Sequence, residues 1–104
     1  MRAKSQIQID VPQGKLAAFC KRHHIRWLAF FGSVLRKEFT PESDVDVLVE
    51  FEPGYRVGLI RLAGMEIELS ALLGRKADLR TPGDLSRYFR QDVLDTAEVQ
   101  YVQG

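Results

Sequence analysis

The strongest constraint on the fold is an alternating run, Asp44-Val45-Asp46-Val47-Leu48-Val49. Side chains alternate between the two faces of a β-strand, so both aspartates point to one face and the valines to the other. The valines predict a face buried in a hydrophobic core. Two carboxylates side by side repel each other unless a cation lies between them, and Asp is disfavoured in strands. The run therefore predicts a strand whose second face suits a hard divalent cation, or, as the simpler alternative, two solvated aspartates at the start of a strand.

Helical and strand patterns alternate along the rest of the chain. Pro12 has the typical position of a helix start, and Gly74 that of the residue following a helix. The predicted elements, in chain order, are helix 12–24, strand 25–31, short helix 33–38, strand 44–51, helix 58–73, strand 77–81, helix 85–97 and edge strand 99–102. Six residues of the helix 58–73 are expected in the core: Leu62, Met65, Ile67, Leu69, Leu72 and Leu73. This alternation predicts an α/β (α+β) fold with helices packed on a small mixed sheet.

The size of the chain, 104 residues, predicts one domain covering residues 1–104. The formal net charge is +1, so direct binding to nucleic acid or to an anionic membrane is not expected. The longest apolar run, residues 27–31, is far too short to span a bilayer. A lone cysteine, Cys20, cannot form an internal disulfide, which indicates a reducing compartment. We therefore expect a soluble, cytoplasmic protein.

The charges are segregated along the sequence. Residues 1–40 carry eight basic and two acidic side chains, whereas residues 41–52 carry five acidic side chains and no basic one. This pattern is expected where divalent cations meet a polyanion. The simpler alternative is a solvated surface with ordinary ion pairs.

A second motif precedes the acidic strand. In Phe30-Phe31-Gly32-Ser33 an apolar strand runs into Gly-Ser and then into a predicted helix, with Ser33 placed to cap it. Glycine allows a ligand to approach the backbone closely, and a helix N-terminus offers free N–H groups to phosphate. Arg36, one turn further on, is placed to add a charged contact. Taken alone, this motif also fits a plain turn followed by a capped helix.

The spacing of the two motifs is itself informative, because Gly32-Ser33 and Asp44-x-Asp46 are separated by ten residues. This arrangement resembles the signature of the nucleotidyltransferase superfamily of DNA polymerase β type. The stretch FFGSVLRKEFTPESDVDVLVEFE is also similar to minimal nucleotidyltransferase (MNT) proteins, which are single-domain members of about this size. The resemblance covers nearly the whole chain and implies a polymerase β-like nucleotidyltransferase fold.

Individual positions extend the resemblance. In the minimal proteins an arginine, an acidic residue and a serine before Asp-x-Asp follow the Gly-Ser pair, and Arg36, Glu38 and Ser43 occupy those places. Lys37 stands where members often carry glycine, a departure that affects only the local turn. In the family a third strand brings a third carboxylate, which maps to Asp78. Without the resemblance, Asp78 would be interpreted as an ordinary acid at the end of a strand.

The resemblance implies a two-metal site for nucleotidyl transfer. Asp44 and Asp46 would hold Mg²⁺ on the triphosphate, with one of them bridging both ions, and Mn²⁺ could substitute. Asp78 would complete the second metal site and assist deprotonation of the acceptor hydroxyl. The ATP phosphates would be held by Gly32, Ser33, Arg36 and Ser43.

The implied activity is transfer of AMP from ATP to a hydroxyl group. Minimal proteins of this type are similar to the antitoxins of two-gene toxin–antitoxin pairs, in which the antitoxin adenylylates a tyrosine of a small helical HEPN ribonuclease, the toxin. A chain of 104 residues has little room for an acceptor pocket of its own, which suits a protein acceptor. Two other functions stay open: an antitoxin that neutralises its partner by binding without catalysis, and a free-standing transferase acting on a small molecule.

Overall fold

The computed structural model describes residues 10–32 and 43–103. The elements in these residues are α1 (Gln13–Arg22), β1 (Ile25–Phe31), β2 (Val45–Phe51), α2 (Leu59–Leu73), β3 (Ala77–Arg80), α3 (Arg90–Thr96) and β4 (Glu98–Val102). A 3-10 turn, Pro82–Asp84, connects β3 to the segment before α3. None of the helices in the described residues combines the length and the apolarity needed to cross a bilayer.

The four strands described form one mixed sheet in the order β3-β2-β1-β4. β1 runs antiparallel to both β2 and β4, whereas β2 and β3 are parallel. Two parallel strands need a long crossover between them, and α2 provides it. The predicted α+β architecture with a small mixed sheet is confirmed.

One face of the sheet packs against α1 and α2 and forms the hydrophobic core; we call it the core face. Phe30 pairs in register with Val47, and Val47 pairs with Leu79, so three strands contribute side chains to this face. All three side chains are buried, as the alternation in β2 predicts for its valines. The buried cluster consists of Leu16, Phe19, Cys20, Ile25, Leu28, Phe30, Val45, Val47, Val49, Met65, Leu69, Leu73, Ala77 and Leu79.

The opposite face carries Phe31, Asp46 and Asp78 at adjacent register positions on β1, β2 and β3; we call it the site face. Its apolar content is small. Ala29 and Leu48 are buried on this face, whereas Phe31 and Asp46 are half-buried. The segment that follows β3, which includes α3, lies over this face. The sheet therefore has one filled face and one partly open face.

The predicted bounds of β1 and α2 agree closely with the structure, and Gly74 follows α2 with a left-handed φ of 75°. The prediction that Ile67 belongs to the core is wrong, because 73% of this side chain is exposed. Ile67 lies two residues from both Met65 and Leu69, and two residues turn a helix by about 200°, which is the opposite side. The other predicted core residues of α2 are buried or pack against the core: Leu62, Met65, Leu69, Leu72 and Leu73.

The predicted helix 85–97 is wrong in its first half, because α3 begins only at Arg90. The Tyr88 N–H donates a hydrogen bond to Ser86 Oγ at 3.3 Å. Such local bonds from serine compete with helix formation. The predicted short helix 33–38 lies outside the described residues.

Candidate active site

Asp46 lies at the centre of the site face. It is the second residue of β2 and pairs in register with Phe31 on β1 and with Asp78 on β3. Residues in register on neighbouring strands point to the same face, and such strands lie about 4.8 Å apart. The structure thus places the carboxylates of Asp46 and Asp78 side by side, and both residues are half-buried.

Gly32 directly follows β1 and contacts Asp46. Its φ of +75° is a left-handed conformation that favours glycine. A Cβ atom at this position would overlap Asp46 Oδ2 and lie 3.1 Å from Asp46 Cγ. The carboxylate of Asp46 therefore occupies the space that any other side chain would fill. The sequence motif predicts that Gly32 admits a ligand, but it gives no sign that Gly32 also admits this carboxylate.

Two side chains of α2 fix the position of β3 and hence of Asp78. The Ala77 N–H donates a hydrogen bond to Ser70 Oγ at 2.9 Å, and the Leu79 N–H donates to Glu66 Oε2 at 2.7 Å. The residues on both sides of Asp78 are thus tied to the helix. Backbone N–H groups are strong donors, so each bond restrains the strand.

Glu66 and Ser70 are not among the site residues predicted from the sequence. They are four residues apart, and each directly follows a buried residue of α2, Met65 or Leu69. Side chains four apart share one face of a helix. Two polar residues at this spacing, beside the buried stripe of a helix, were the signal that could have revealed an inward contact.

Asp78 also forms an ion pair with Arg80 at 3.1 Å. The side chain of Asp78 is about one-third exposed, at 34%, and that of Arg80 is half exposed. An exposed pair of this kind contributes little to stability. Arg80 instead places a positive charge beside the carboxylate pair.

The other predicted site residues lie at the start of β2 or outside the described residues. Asp44 immediately precedes β2 and is exposed, and Ser43 is half-buried. Across the described part of the chain, no three Asp, Glu, His or Cys side chains gather closely enough to hold a metal ion. Ser33 and Arg36 lie outside that part.

The paired carboxylates of Asp46 and Asp78 nevertheless fit Mg²⁺. This ion prefers oxygen ligands and is usually bound by one or two carboxylates together with substrate phosphates and water, rather than by a complete protein cage. Gly32 carries no side chain and lines the larger cleft together with Asp46, so its backbone can be approached from that cleft. Two aligned carboxylates next to such a backbone are therefore a suitable donor set.

In the described part of the chain, two clefts on the site face share Phe31, Asp46 and Phe89 in their linings. The larger has a volume of about 520 Å³ and is lined by Phe31, Gly32, Asp46, Phe89, Asp92, Val93 and Thr96. The smaller has a volume of about 300 Å³ and is lined by Phe31, Asp46, Asp78, Arg80, Asp84, Leu85, Ser86 and Phe89. Because Asp46 lines both, its carboxylate can be reached from either cleft.

The acidic segment 41–52 was interpreted either as part of a cation site or as a surface with ordinary ion pairs, and its described residues include both kinds. Glu50 forms an ion pair with Arg26 at 2.8 Å, and Glu52 lies 3.4 Å from His24, so these two acids belong to ordinary surface pairs. Asp46 instead faces the clefts. The charge pattern thus reflects both surface pairing and a candidate site.

The cysteine and His23 belong to the body of the fold. Burial raises the pKa of the Cys20 thiol to about 12, so the thiol stays protonated and unreactive. His23 Nε2 lies 2.8 Å from Glu68, which also pairs with Arg22. Burial alone would raise the pKa of Glu68, but the hydrogen bonds and charges of His23 and Arg22 outweigh it and lower that pKa. His23 therefore contributes a side-chain hydrogen bond between the end of α1 and α2.

Comparison with protein families and with individual relatives gives consistent results. The family profile of the nucleotidyltransferase domain matches residues 14–99. Protein adenylyltransferase MntA of Thermococcus cleftensis is 38% identical over 82 residues, which cover 79% of this chain and 79% of the relative. A protein of Methanocaldococcus jannaschii, named as a candidate protein adenylyltransferase, is 30% identical over 91 residues, which cover 88% of this chain and 96% of the relative.

Solved structures share the fold. One described as a candidate minimal nucleotidyltransferase superposes with a TM-score of 0.66 at 35% identity, covering 82% of this chain and 85% of that one. A toxin–antitoxin structure with AMP-PNP superposes with a TM-score of 0.71 at 17% identity, covering 89% of this chain and 75% of that one. At such low identity the second likeness shows the fold alone.

Proposed function

The chain belongs to the nucleotidyltransferase family, and we propose that it is a protein adenylyltransferase that transfers AMP from ATP to a hydroxyl of a partner protein. The observation that carries the proposal is the register pair of Asp46 and Asp78, with the Asp46 carboxylate seated against the bare backbone of Gly32. Relatives named protein adenylyltransferase support the choice of AMP and of a protein acceptor. We propose a cytoplasmic location as well, because the proposed reaction consumes ATP.

In the proposed reaction the carboxylates of Asp46 and Asp78 would hold Mg²⁺, and the family resemblance assigns Asp44 to the same role. When bound, the metal neutralises charge on the triphosphate and on the leaving pyrophosphate. Gly32 lets the phosphates approach the backbone, and the resemblance assigns further phosphate contacts to Ser33, Arg36 and Ser43.

The chemical step is an in-line substitution at the α-phosphorus of ATP. The acceptor oxygen forms a new bond to that phosphorus, while the bond from it to the oxygen bridging to the β-phosphate breaks. Pyrophosphate leaves with the electron pair of the broken bond. The proton of the acceptor hydroxyl passes to the carboxylate of Asp78 and then to water.

The acceptor we propose is a tyrosine of a small helical HEPN-type toxin, which makes this chain the antitoxin of a pair. One relative carries the name MntA, and a structural neighbour is a toxin–antitoxin assembly with AMP-PNP. The clefts support a protein acceptor as well, because they are open at the surface and the smaller one has a volume of only about 300 Å³. A protein can bring its own surface to such a shallow site.

The decisive experiment mixes the protein with α-labelled ATP, Mg²⁺ and its helical partner. We expect label on the partner with wild type, and a loss of about a thousandfold or more with Asp46→Asn, because several kcal/mol of charge stabilisation depend on the metal. Asp95→Asn is the matched control, since Asp95 is exposed on α3 and lines neither cleft. An unlabelled partner with wild type, or equal activity in Asp46→Asn, contradicts the proposal.

Thermal unfolding tests the metal and nucleotide separately from the acceptor. A ligand that binds only the folded state at about 100 times its Kd stabilises it by roughly 2.7 kcal/mol. We expect Mg²⁺ with ATP to raise Tm more than either alone, because the triphosphate supplies metal ligands, and Mn²⁺ to substitute. Asp46→Asn should lose most of this shift without lowering the Tm of the free protein, since it removes a repulsion between carboxylates. An unchanged shift in Asp46→Asn would contradict the assignment.

A second candidate function is neutralisation of the toxin by binding alone. It is favoured by the outer face of α2, where Leu59, Ile60 and Ile67 are exposed although apolar. Exposed apolar surfaces of this kind often bind other proteins, and an amphipathic toxin helix would suit this one. The double variant Asp44→Ala with Asp46→Ala separates the two functions: retained neutralisation supports binding, and lost neutralisation supports catalysis.

A further inference from the structure

We propose that Phe89 divides the site into two compartments, its ring stacking on the base of the nucleotide in the larger cleft and walling that base off from the acceptor in the smaller cleft. This inference rests on the proposed function. It follows from the position of Phe89, which lines both clefts together with Asp46 and Phe31.

Phe89 is a half-exposed aromatic residue, at 51%. Its backbone is nevertheless fixed, since the Phe89 N–H donates to Ser86 O at 3.2 Å and Phe89 O accepts from the Val93 N–H at 3.1 Å. The backbone that carries the ring is thus fixed beside both clefts, and Phe89 is not part of the buried cluster. A half-exposed aromatic face on a fixed backbone is the arrangement that stacks on a base.

The two clefts differ in what surrounds Asp46. The larger cleft includes Gly32, at which the phosphates are proposed to bind, and α3 contributes Asp92, Val93 and Thr96 to its lining. Its volume of about 520 Å³ is within the usual range of ligand pockets, roughly 300–1,000 Å³. A nucleotide with its phosphates at Gly32 can therefore extend its nucleoside into this cleft.

The smaller cleft contains the groups suited to the acceptor. Asp78, the proposed proton acceptor, lines this cleft and not the larger one, and Arg80 and Ser86 accompany it. An acceptor hydroxyl entering here reaches Asp78 from the side of Phe89 away from the base. The attacking and leaving groups of an in-line substitution must also approach the phosphorus from opposite sides.

The test compares binding of MgATP with binding of magnesium tripolyphosphate, which has no base, by isothermal titration calorimetry without any acceptor. Stacking of one base on an aromatic ring is worth a factor of roughly 5 to 150 in Kd. We expect Phe89→Ala to raise the Kd for MgATP by about tenfold or more and to leave the Kd for magnesium tripolyphosphate unchanged. Phe89→Trp should restore tight binding of MgATP.

Tyr88→Ala is the matched control, because Tyr88 is the adjacent aromatic residue, is 84% exposed and lines neither cleft. It should leave both Kd values unchanged. The inference is overturned by an unchanged Kd for MgATP in Phe89→Ala, by equal weakening of both ligands, or by a wild type that binds no MgATP. It is also overturned if Phe89→Ala weakens only the complex with the partner protein, which would assign the ring to a protein contact.

These outcomes separate the inference from the proposed function. If wild type labels its partner while Phe89→Ala binds MgATP normally, the proposed function is supported and the role of Phe89 in binding the base is contradicted. If Phe89→Ala weakens only the binding of MgATP but no acceptor is ever labelled, the role of Phe89 in binding the base is supported and AMP transfer to a protein is contradicted.

Discussion

The two faces of the sheet are built from the same strands but have different contents. On β2, Val45, Val47 and Val49 belong to the buried cluster, whereas Asp46 between them lines two open clefts. Among the described residues, the core face is covered by α1 and α2, and the segment around α3 lies over the site face. Side chains alternate along a strand, so each residue of the site face has neighbours in the chain that are packed in the core. The packed core thus fixes the position of Asp46.

The largest expected effect tests this division on two adjacent phenylalanines of β1. Phe30 is fully buried on the core face, and Phe31 is half-buried on the site face. We expect Phe30→Ala to lower the free energy of unfolding by about 3–5 kcal/mol, since it creates a cavity. Phe31→Ala should cost clearly less stability and mainly weaken nucleotide binding. Urea unfolding measures both, and equal losses of stability would mean that the two faces are not distinct.

Gly32→Ala is expected to affect both stability and activity, because it changes the backbone at Gly32 and displaces the carboxylate of Asp46. The new Cβ would overlap Asp46 Oδ2 and would also require a left-handed φ from alanine. We expect a loss of about 1–3 kcal/mol of stability, the usual cost of such strain, together with a large loss of AMP transfer as Asp46 is displaced. Gly54→Ala is the control, because its φ is also positive but a Cβ there meets nothing within 4 Å. Equal activity in the two variants would contradict the seat proposed for Asp46.

The third prediction concerns pH and the helices of the core face. His23 and Arg22 lower the pKa of Glu68 despite its partial burial. The ionised carboxylate of Glu68 is therefore more stable in the folded protein than in the unfolded chain. This stabilisation is present above the ordinary pKa of glutamate, about 4.3, and is lost as the pH falls through the lowered value. We expect roughly 1 kcal/mol or less, because the side chain is partly exposed.

The Tm of wild type should fall as the pH is lowered from 6. In Glu68→Gln this fall should be smaller. Asp95→Asn provides the comparison for a surface carboxylate on another helix. If the Tm of wild type and that of Glu68→Gln fall in parallel as the pH is lowered, the ion pair does not contribute to stability.

The smallest effect is expected at Ile67. Since 73% of this side chain is exposed, Ile67→Ser should change the free energy of unfolding by about 0.5 kcal/mol or less. Leu69→Ala, two residues further along α2 and fully buried, should cost about 2–5 kcal/mol. Similar losses for both would place Ile67 in the core after all.

The sequence was sufficient for the elements whose pattern is regular. The bounds of β1, most of α2 and the alternation in β2 followed from the spacing of apolar residues, and the family resemblance was confirmed. The helix before residue 90 was misassigned because serine and local backbone contacts outweigh apolar spacing there. Ile67 was misassigned because an apolar residue on a helix was counted as buried without regard to its angle.

Less of the candidate site could be read from the sequence. The side-by-side placement of Asp46 and Asp78 depends on the register of a parallel pair, which is set by the crossover through α2 and not by either strand alone. The seat of Asp46 on Gly32 and the position of Phe89 between two clefts arise from contacts between distant segments. The roles assigned to Ser33 and Arg36 remain predictions.

The bonds from Ser70 and Glu66 to β3 have a consequence for how this protein meets other chains. They occupy the outward N–H groups of Ala77 and Leu79, which an added strand would otherwise use. Among the described strands, β4 is the other edge of the sheet, and Val99 and Val102 are exposed there. Of the two edges formed by the described strands, β4 is therefore the one more open to an added strand, whether from a peptide or from misassembly at high concentration, and it lies away from the strand that carries Asp78.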